Sequence, residues 1–250
     1  MDMELKEKFL SGWKKYFGEV ELPIVCWFGN DKGTAAKAAT PKGWSCLIAD
    51  LARVRRGESL SFGKEAVACG GARRYLGYAE QIRPKFEYFL SCGIPNEMEG
   101  ERYKRTPEIV LETQKHLAHL PADDRPLVFK RWDNLVDRDD PEIVIFFAKP
   151  DVLSGLFTLA NFDRVEPNGV FCPFAPGCGS IVHFPWLEMN AESPRAVIGM
   201  FDVSARPCVP AGTLTFAVPL GLFAKMVGCM DESFLITGSW DKVRRRIGKE

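Results

Sequence analysis

Apolar positions along the chain recur with two periods, and their order sets the expected elements. Leu5, Phe9, Trp13 and Phe17 stand four apart, one apolar stripe that predicts an amphipathic helix over residues 1–20 packed on the core. Residues 22–28 read LPIVCWF, a buried strand with Pro23 at its start. Residues 29–43 are small and polar and too long for an ordinary connection, so they read as a functional or mobile loop. Residues 44–56 predict a helix with Leu47, Leu51 and Val54 inward, closed by Gly57.

The stretch 58–78 organises the rest. It predicts a short apolar strand in a central position, then Cys69, Gly70 and Gly71, then a helix from Ala72 to Gln81. Pro84 starts a further helix stopped by Gly93, and residues 94–105 are polar and read as a surface loop. Thr106-Pro107-Glu108 is a helix start, with a capping hydroxyl, a proline at the first helical position and an acid in the first turn; that helix runs to about Leu120. Residues 127–131 and 142–148 predict strands, the second central, and Pro150-Asp151 opens another helix. A short strand near Val170 and Phe171 leads to Cys172-Pro173-Phe174-Ala175-Pro176-Gly177-Cys178-Gly179 and a helical stretch through Ile181 and Trp186. Strands over 196–203 and 213–218 and helices over 220–230 and 239–247 complete the chain.

This alternation predicts an α/β (mixed α+β) fold: one domain over residues 21–250 with a mixed sheet, preceded by the helix of residues 1–20. An internal pseudo-repeat is a further expectation, with half-repeats at 22–92 and 142–190. A shift of 109 lays Cys69 on Cys178, Gly70 on Gly179, Phe62 on Phe171, Ala66 on Ala175 and Arg55 on Arg164. The strands around Ile24 and Ile143 need a shift of 119 instead (143 − 24), a difference that the long loop after Phe28 would absorb.

Charge then narrows the partners. Lys+Arg and Asp+Glu both number 33, for a formal net charge of +0, which argues against nucleic acid or an anionic membrane recognised by bulk charge. The basic run at 242–246 reads as a solvated helix end. The N-terminus is too charged for a signal peptide, and no apolar run approaches the ~18 residues that span a bilayer. The expectation is a soluble cytoplasmic protein that binds a small molecule and neither nucleic acid nor membrane. Eight cysteines, none in a CxxC pair, would then be reduced, each most simply a small buried apolar residue.

Cys69 is the candidate reactive group, because a helix start with adjacent glycine N–H groups and nearby arginines favours negative charge. Three functions compete for it. In the first, Cys46, Cys69, Cys172 and Cys178 hold a metal ion or an iron–sulfur cluster, with His183 as a substitute; Cys172-Pro173 is a pairing often found at cluster ligands. In the second, Cys69 is a catalytic thiol with His183 as its base. In the third, which is preferred, Gly70, Gly71, Cys178 and Gly179 cradle an anionic ligand or cofactor, with Arg73, Arg102 and Arg206 as charge partners. His116 and His119 stand one turn apart and read as an exposed polar face rather than as a metal pair. Neither GxGxxG nor GxxxxGK[ST] occurs, so common nucleotide folds are not indicated.

Taken in order, CGGARRYLGY, EGERYKRTPE, DPEIVIFFAKPDVLSGLFTLANFD, APGCGSIV and AVIGMFDVSARPCVPAGTLTFAVP resemble an archaeal and bacterial group known as domain of unknown function 169. The resemblance runs over roughly residues 22–247. It implies attention to Cys46, Cys69 and Cys178, since the group is described as cysteine-rich. Its occurrence in anaerobes implies that an oxygen-sensitive cofactor is admissible. It implies no activity, ligand or catalytic residue.

Overall fold

A computed structural model describes residues 1–29, 33–118, 120 and 124–248. His119 and residues 30–32 of the long loop lie outside the described residues. One eight-stranded mixed sheet carries the fold: β1 (Ile24–Phe28), β2 (Ala36–Lys37), β3 (Leu60–Phe62), β4 (Leu127–Arg131), β5 (Ile143–Ala148), β6 (Val170–Phe171), β7 (Ala196–Gly199) and β8 (Leu214–Pro219). Their spatial order is β2-β3-β4-β1-β5-β8-β7-β6.

Each face of the sheet is covered. Alternate residues of β1 point opposite ways, Ile24, Cys26 and Phe28 into one core and Val25 and Trp27 into the other. The second core lies under α1 (Met3–Phe17), α6 (Pro150–Ala160), α8 (Leu220–Gly228) and α9 (Gly238–Arg244). There Phe9, Trp13 and Phe17 of α1 fill the layer as the stripe predicts, with Phe9 edge-on to Trp132 at 5.2 Å. Asp2 caps α1, its Oδ1 accepting from the N–H groups of Glu4 (2.9 Å) and Leu5 (3.1 Å).

The first core lies under α2 (Leu47–Arg55), α3 (Gly70–Tyr75) and α7 (Phe184–Glu188), which a π-helical turn over Gly179–His183 precedes. Two short helices, α4 (Phe86–Phe89) and α5 (Pro107–Lys115), cross beyond α3 in the long connection from β3 to β4. Thr106 and Pro107 start α5 as expected, the Thr106 hydroxyl accepting from the Ile109 N–H at 3.4 Å. Among the described residues, no helix is long and apolar enough to cross a membrane.

Several expected boundaries shift for local reasons. The strand before Cys69 is not central: β3 has three residues, stands second from the edge, and gives way to a single 3₁₀ turn at Lys64–Ala66. The helix after Cys69 takes in both glycines and ends at Tyr75, with Gly77 in the left-handed region at φ 76°. The strand expected over 196–203 ends at Gly199, because Met200 turns to φ 69° and Asp202 closes a local turn.

The sheet has a two-fold pattern about its centre. β1 and β5 are central, antiparallel neighbours, with Val25 opposite Val144. Outward from each, the next strand is antiparallel, the one after is antiparallel again, and the edge strand is parallel. By position β2 corresponds to β6, β3 to β7 and β4 to β8. The shift of 119 suits β1 and β5, since Ile24 and Ile143 face the same core. The shift of 109 does not suit the rest: it lays Phe62 of β3 on Phe171 of β6, two different places in the sheet. Sheet position instead equates the connection carrying Cys46 with the one carrying Cys178, and that carrying Cys69 with that carrying Cys208.

Candidate functional site

A cavity of about 500 Å³ opens on the first-core side, between the N-terminal ends of α2 and α3, the segments 173–178 and 201–205, and the α4–α5 excursion. That volume falls in the range of small-molecule sites. Close backbone approach makes the junction. A Cβ on Gly177 would stand 3.0 Å from Ile48 Cγ1 at the start of α2 and 3.0 Å from Met200 Sδ. A Cβ on Gly179 would stand 2.9 Å from Tyr75 Cδ1 on α3. A side chain at either place would therefore press on Ile48, Met200 or Tyr75, where α2, α3 and the π turn meet.

One carboxylate ties the mouth together. Asp202 Oδ1 accepts from the Ser204 hydroxyl (2.9 Å), the Ser204 N–H (3.1 Å) and the Tyr103 hydroxyl (3.3 Å). Its Oδ2 accepts from the Gly177 N–H at 3.3 Å. Segments far apart in the chain are thus held to one polar post, with the charge spread over four donors.

The rest of the wall is mainly apolar. Ile48, Ala72, Tyr75, Phe86, Val110 and Pro176 line it, and Trp44, Phe174, Phe201 and Val203 form a rim whose side chains are exposed, Trp44 by 74%. Exposed apolar residues gathered at one mouth mark a recognition surface better than scattered ones do. Two cations reach the lining. The Lys104 ammonium lies 4.5 Å from the centre of the Phe174 ring, and the Arg83 guanidinium 5.9 Å from those of Phe86 and Phe89.

The structure brings together part of the expected site. Cys46, Cys69, Gly70, Gly71 and Cys178 all line the cavity. Cys46 and Cys69 are half-buried at the N-cap positions of α2 and α3, and Cys178 is buried just before the π turn. Gly179 supports the site from behind, against Tyr75.

The expected anion partners are elsewhere. Arg73 lends its Nε to the Val67 carbonyl at 2.6 Å, a bond that folds the 67–73 turn. Arg206 donates Nη1 to the carbonyls of Thr213 and Met200. Arg102 is exposed at φ 55°, its backbone N–H bound to the Ser91 carbonyl. None of the three lines the cavity, whereas Arg83 and Lys104 do, with Glu101 beside them. The charges of these two side chains point into a region that also holds Phe86, Phe89 and Phe174, which sequence spacing does not bring together.

His183 does not line the cavity that Cys69 lines. It is 1% exposed in the core, with rings of Tyr75 and Phe184 edge-on at 5.3 and 5.2 Å, and its Nδ1 meets the Tyr75 carbonyl at 3.0 Å. Burial holds its pKa below the ordinary imidazole value. Cys172 is exposed and outside the cavity lining, so the four-cysteine set does not assemble. Among the described residues, no group of three or more His, Cys, Asp or Glu is arranged to hold a metal ion.

Burial also works against thiolate chemistry at two of the cavity thiols. It pushes Cys46 up to about 11, with the Cys208 thiol adding to the rise and the N–H groups of Ile48 and Ala49 opposing it. Cys178 is pushed well above the usual thiol value by burial and then by its neighbours Cys69 and Cys46. Tyr75, buried beside Cys178, rises to about 12 and stays a neutral phenol.

No curated protein and no solved structure matches the chain. A family model does, over residues 19–228, a span that takes in every strand, the cavity-lining segments and the three cysteines that line the cavity. The chain therefore belongs to the DUF169 family, described as uncharacterised ArCR.

Proposed function

We propose that this protein binds a small, largely apolar, ring-bearing molecule in the cavity beside Cys69 and Cys178, with an acidic group of that molecule directed to Arg83 and Lys104. The observation that carries the reading is the wall itself: a solvent-open, mainly apolar cavity whose rim exposes Trp44, Phe174, Phe201 and Val203 in one place. Burial of apolar ligand surface supplies most of the affinity, at roughly 25 cal/mol per Å² before the costs of association. The two cations add orientation, and Cys69 is part of the wall.

A pair of fluorescent probes tests this. The sulfonate 1-anilinonaphthalene-8-sulfonate and its uncharged analogue N-phenyl-1-naphthylamine are titrated into the full chain. Saturable binding of both is expected, with energy transfer from Trp44 that Trp44→Phe removes. Arg83→Ala with Lys104→Ala should weaken the sulfonate several-fold and leave the neutral probe unchanged. Non-saturating binding of both probes, or binding indifferent to Trp44 and to both cations, would sink the proposal.

A further inference from the structure

Most oxygen-bearing side chains of the cavity wall already have partners. Tyr103, Ser204 and the Asp202 carboxylate bond one another. The Thr113 hydroxyl donates to the Ile109 carbonyl at 2.8 Å. Among the neutral side chains described in the lining, this leaves the Tyr75 hydroxyl and the Gln114 carboxamide. Packing fixes where they stand. The Tyr75 ring lies against Gly179, where a Cβ would be 2.9 Å from its Cδ1, and edge-on to buried His183 at 5.3 Å, which holds it on the core side. Gln114 stands one turn after Val110 on α5, and both residues line the cavity. The cations are at the rim instead: Lys104 lies over the ring of Phe174, itself 67% exposed, and Arg83 is exposed.

We propose that Tyr75 and Gln114 determine specificity in this cavity, selecting a ligand that carries a neutral oxygen, a hydroxyl or a carbonyl, at the end opposite its acidic group. The proposal rests on the reading of the cavity as a site for a ring-bearing acid. Bonded to each other, the phenol and the carboxamide still leave a donor and an acceptor for a ligand, and no charge. Burial raises the Tyr75 pKa to about 12, so the phenol keeps its proton at neutral pH. A hydrocarbon end placed there would take that donor and acceptor out of water and leave them unmatched, whereas a hydroxyl replaces the water that it displaces. A second carboxylate would give up its hydration to two groups that carry no charge to offset the loss.

Competition against N-phenyl-1-naphthylamine on the full chain tests this with three acids: biphenyl-4-carboxylate, its 4′-hydroxy derivative and biphenyl-4,4′-dicarboxylate. The hydroxy acid should displace the dye at about fivefold lower concentration than the parent acid, and the dicarboxylate should be the weakest. Tyr75→Phe keeps the ring against Gly179 and His183 and should remove most of that advantage without weakening the parent acid. Gln114→Leu, at a half-buried position of α5, should do the same. Equal displacement by the parent and hydroxy acids overturns the proposal, as does an advantage that persists in either folded variant. Those results leave the apolar site standing, since both acids still compete. A dye that does not saturate and that no acid displaces would remove the site itself, and the role of this pair with it.

Discussion

Replacing Lys130 by methionine should cost far more stability than removal of any surface charge. Lys130 sits mid-strand in β4, and its ammonium bonds both Asp139 oxygens at 2.8 Å, with the two side chains each 1% exposed. The same carboxylate also accepts from the Val136 N–H at 2.9 Å and the Thr34 hydroxyl at 3.1 Å, so it cannot turn out to solvent without undoing two further bonds. Methionine fills the lysine's apolar volume beside Trp27 but leaves the carboxylate buried without its cation. Breaking a buried pair this way costs roughly 3–5 kcal/mol. With a urea slope of about 3 kcal/mol per M, the midpoint should fall by roughly 1–1.7 M. The control is Lys115→Met, which breaks an ion pair with Glu112 whose partners are 71% and 59% exposed and should not move the midpoint measurably. A Lys130→Met midpoint no different from that of Lys115→Met would refute the reasoning, since it would mean that water reaches Asp139.

Three other outcomes follow from the geometry. Gly199→Ala would place a Cβ 2.0 Å from Ser180 Oγ and 2.2 Å from Ser180 Cβ, so it should cost about 3 kcal/mol or more and lower Tm by roughly 6–12 °C in a thermal scan. Because burial depresses the folded pKa of His183 below 6.5, the unfolded chain takes up a proton there that the fold refuses. Stability should therefore fall as pH drops through 6.5, and His183→Gln should flatten that part of a stability-versus-pH curve. Iodoacetamide at neutral pH should label exposed Cys92 and Cys172 first and reach buried Cys26 and Cys178 only on unfolding, as a time course of peptide masses would show.

What could be read from residues alone was what local periodicity determines. β1 and β5 are continuous apolar runs, and α1 and α2 carry one apolar face each, so their place in the core followed from the sequence. The reach of α3 did not, because glycines at its start and at position 77 leave the helix no periodic pattern to follow. The glycines after Cys69 and Cys178 are a local signal for a helix start, whereas Cys46, between Ser45 and Leu47, carries none. For Arg73 and Arg206 the sequence shows the charge but not the carbonyls of Val67, Thr213 and Met200 to which they donate. Asp202 had a legible local signal in its turn with Ser204, but its bonds to Tyr103 and Gly177 span 99 and 25 residues. The buried Lys130–Asp139 pair was invisible for a similar reason, since a lysine in the run LVFKR reads as the solvent side of a strand.

The two-fold pattern of the sheet bears on where the cavity lies, and its breakage on how the two flanks of the cavity differ. α2 and the π turn before α7 occupy corresponding connections, β2 to β3 and β6 to β7, and each begins at a cysteine, Cys46 and Cys178. Their starts converge on the first-core face, where Gly177 meets Ile48. A symmetric sheet alone would leave that junction open to solvent. The corresponding connections after β3 and β7 are unequal: residues 63–126 on one side, residues 200–213 on the other. The longer one supplies α4, α5, Arg83, Tyr103 and Lys104, which roof one flank, while the shorter one supplies only Phe201 to Ala205. Ligand selectivity should therefore reside in residues 83–114, where substitutions change the lining without touching the sheet. Exchanging Phe86 and Phe89 for leucine should alter which of the two naphthalene probes binds more tightly while Tm changes little; a large Tm loss with unchanged probe preference would show that this connection is scaffold rather than the discriminating wall.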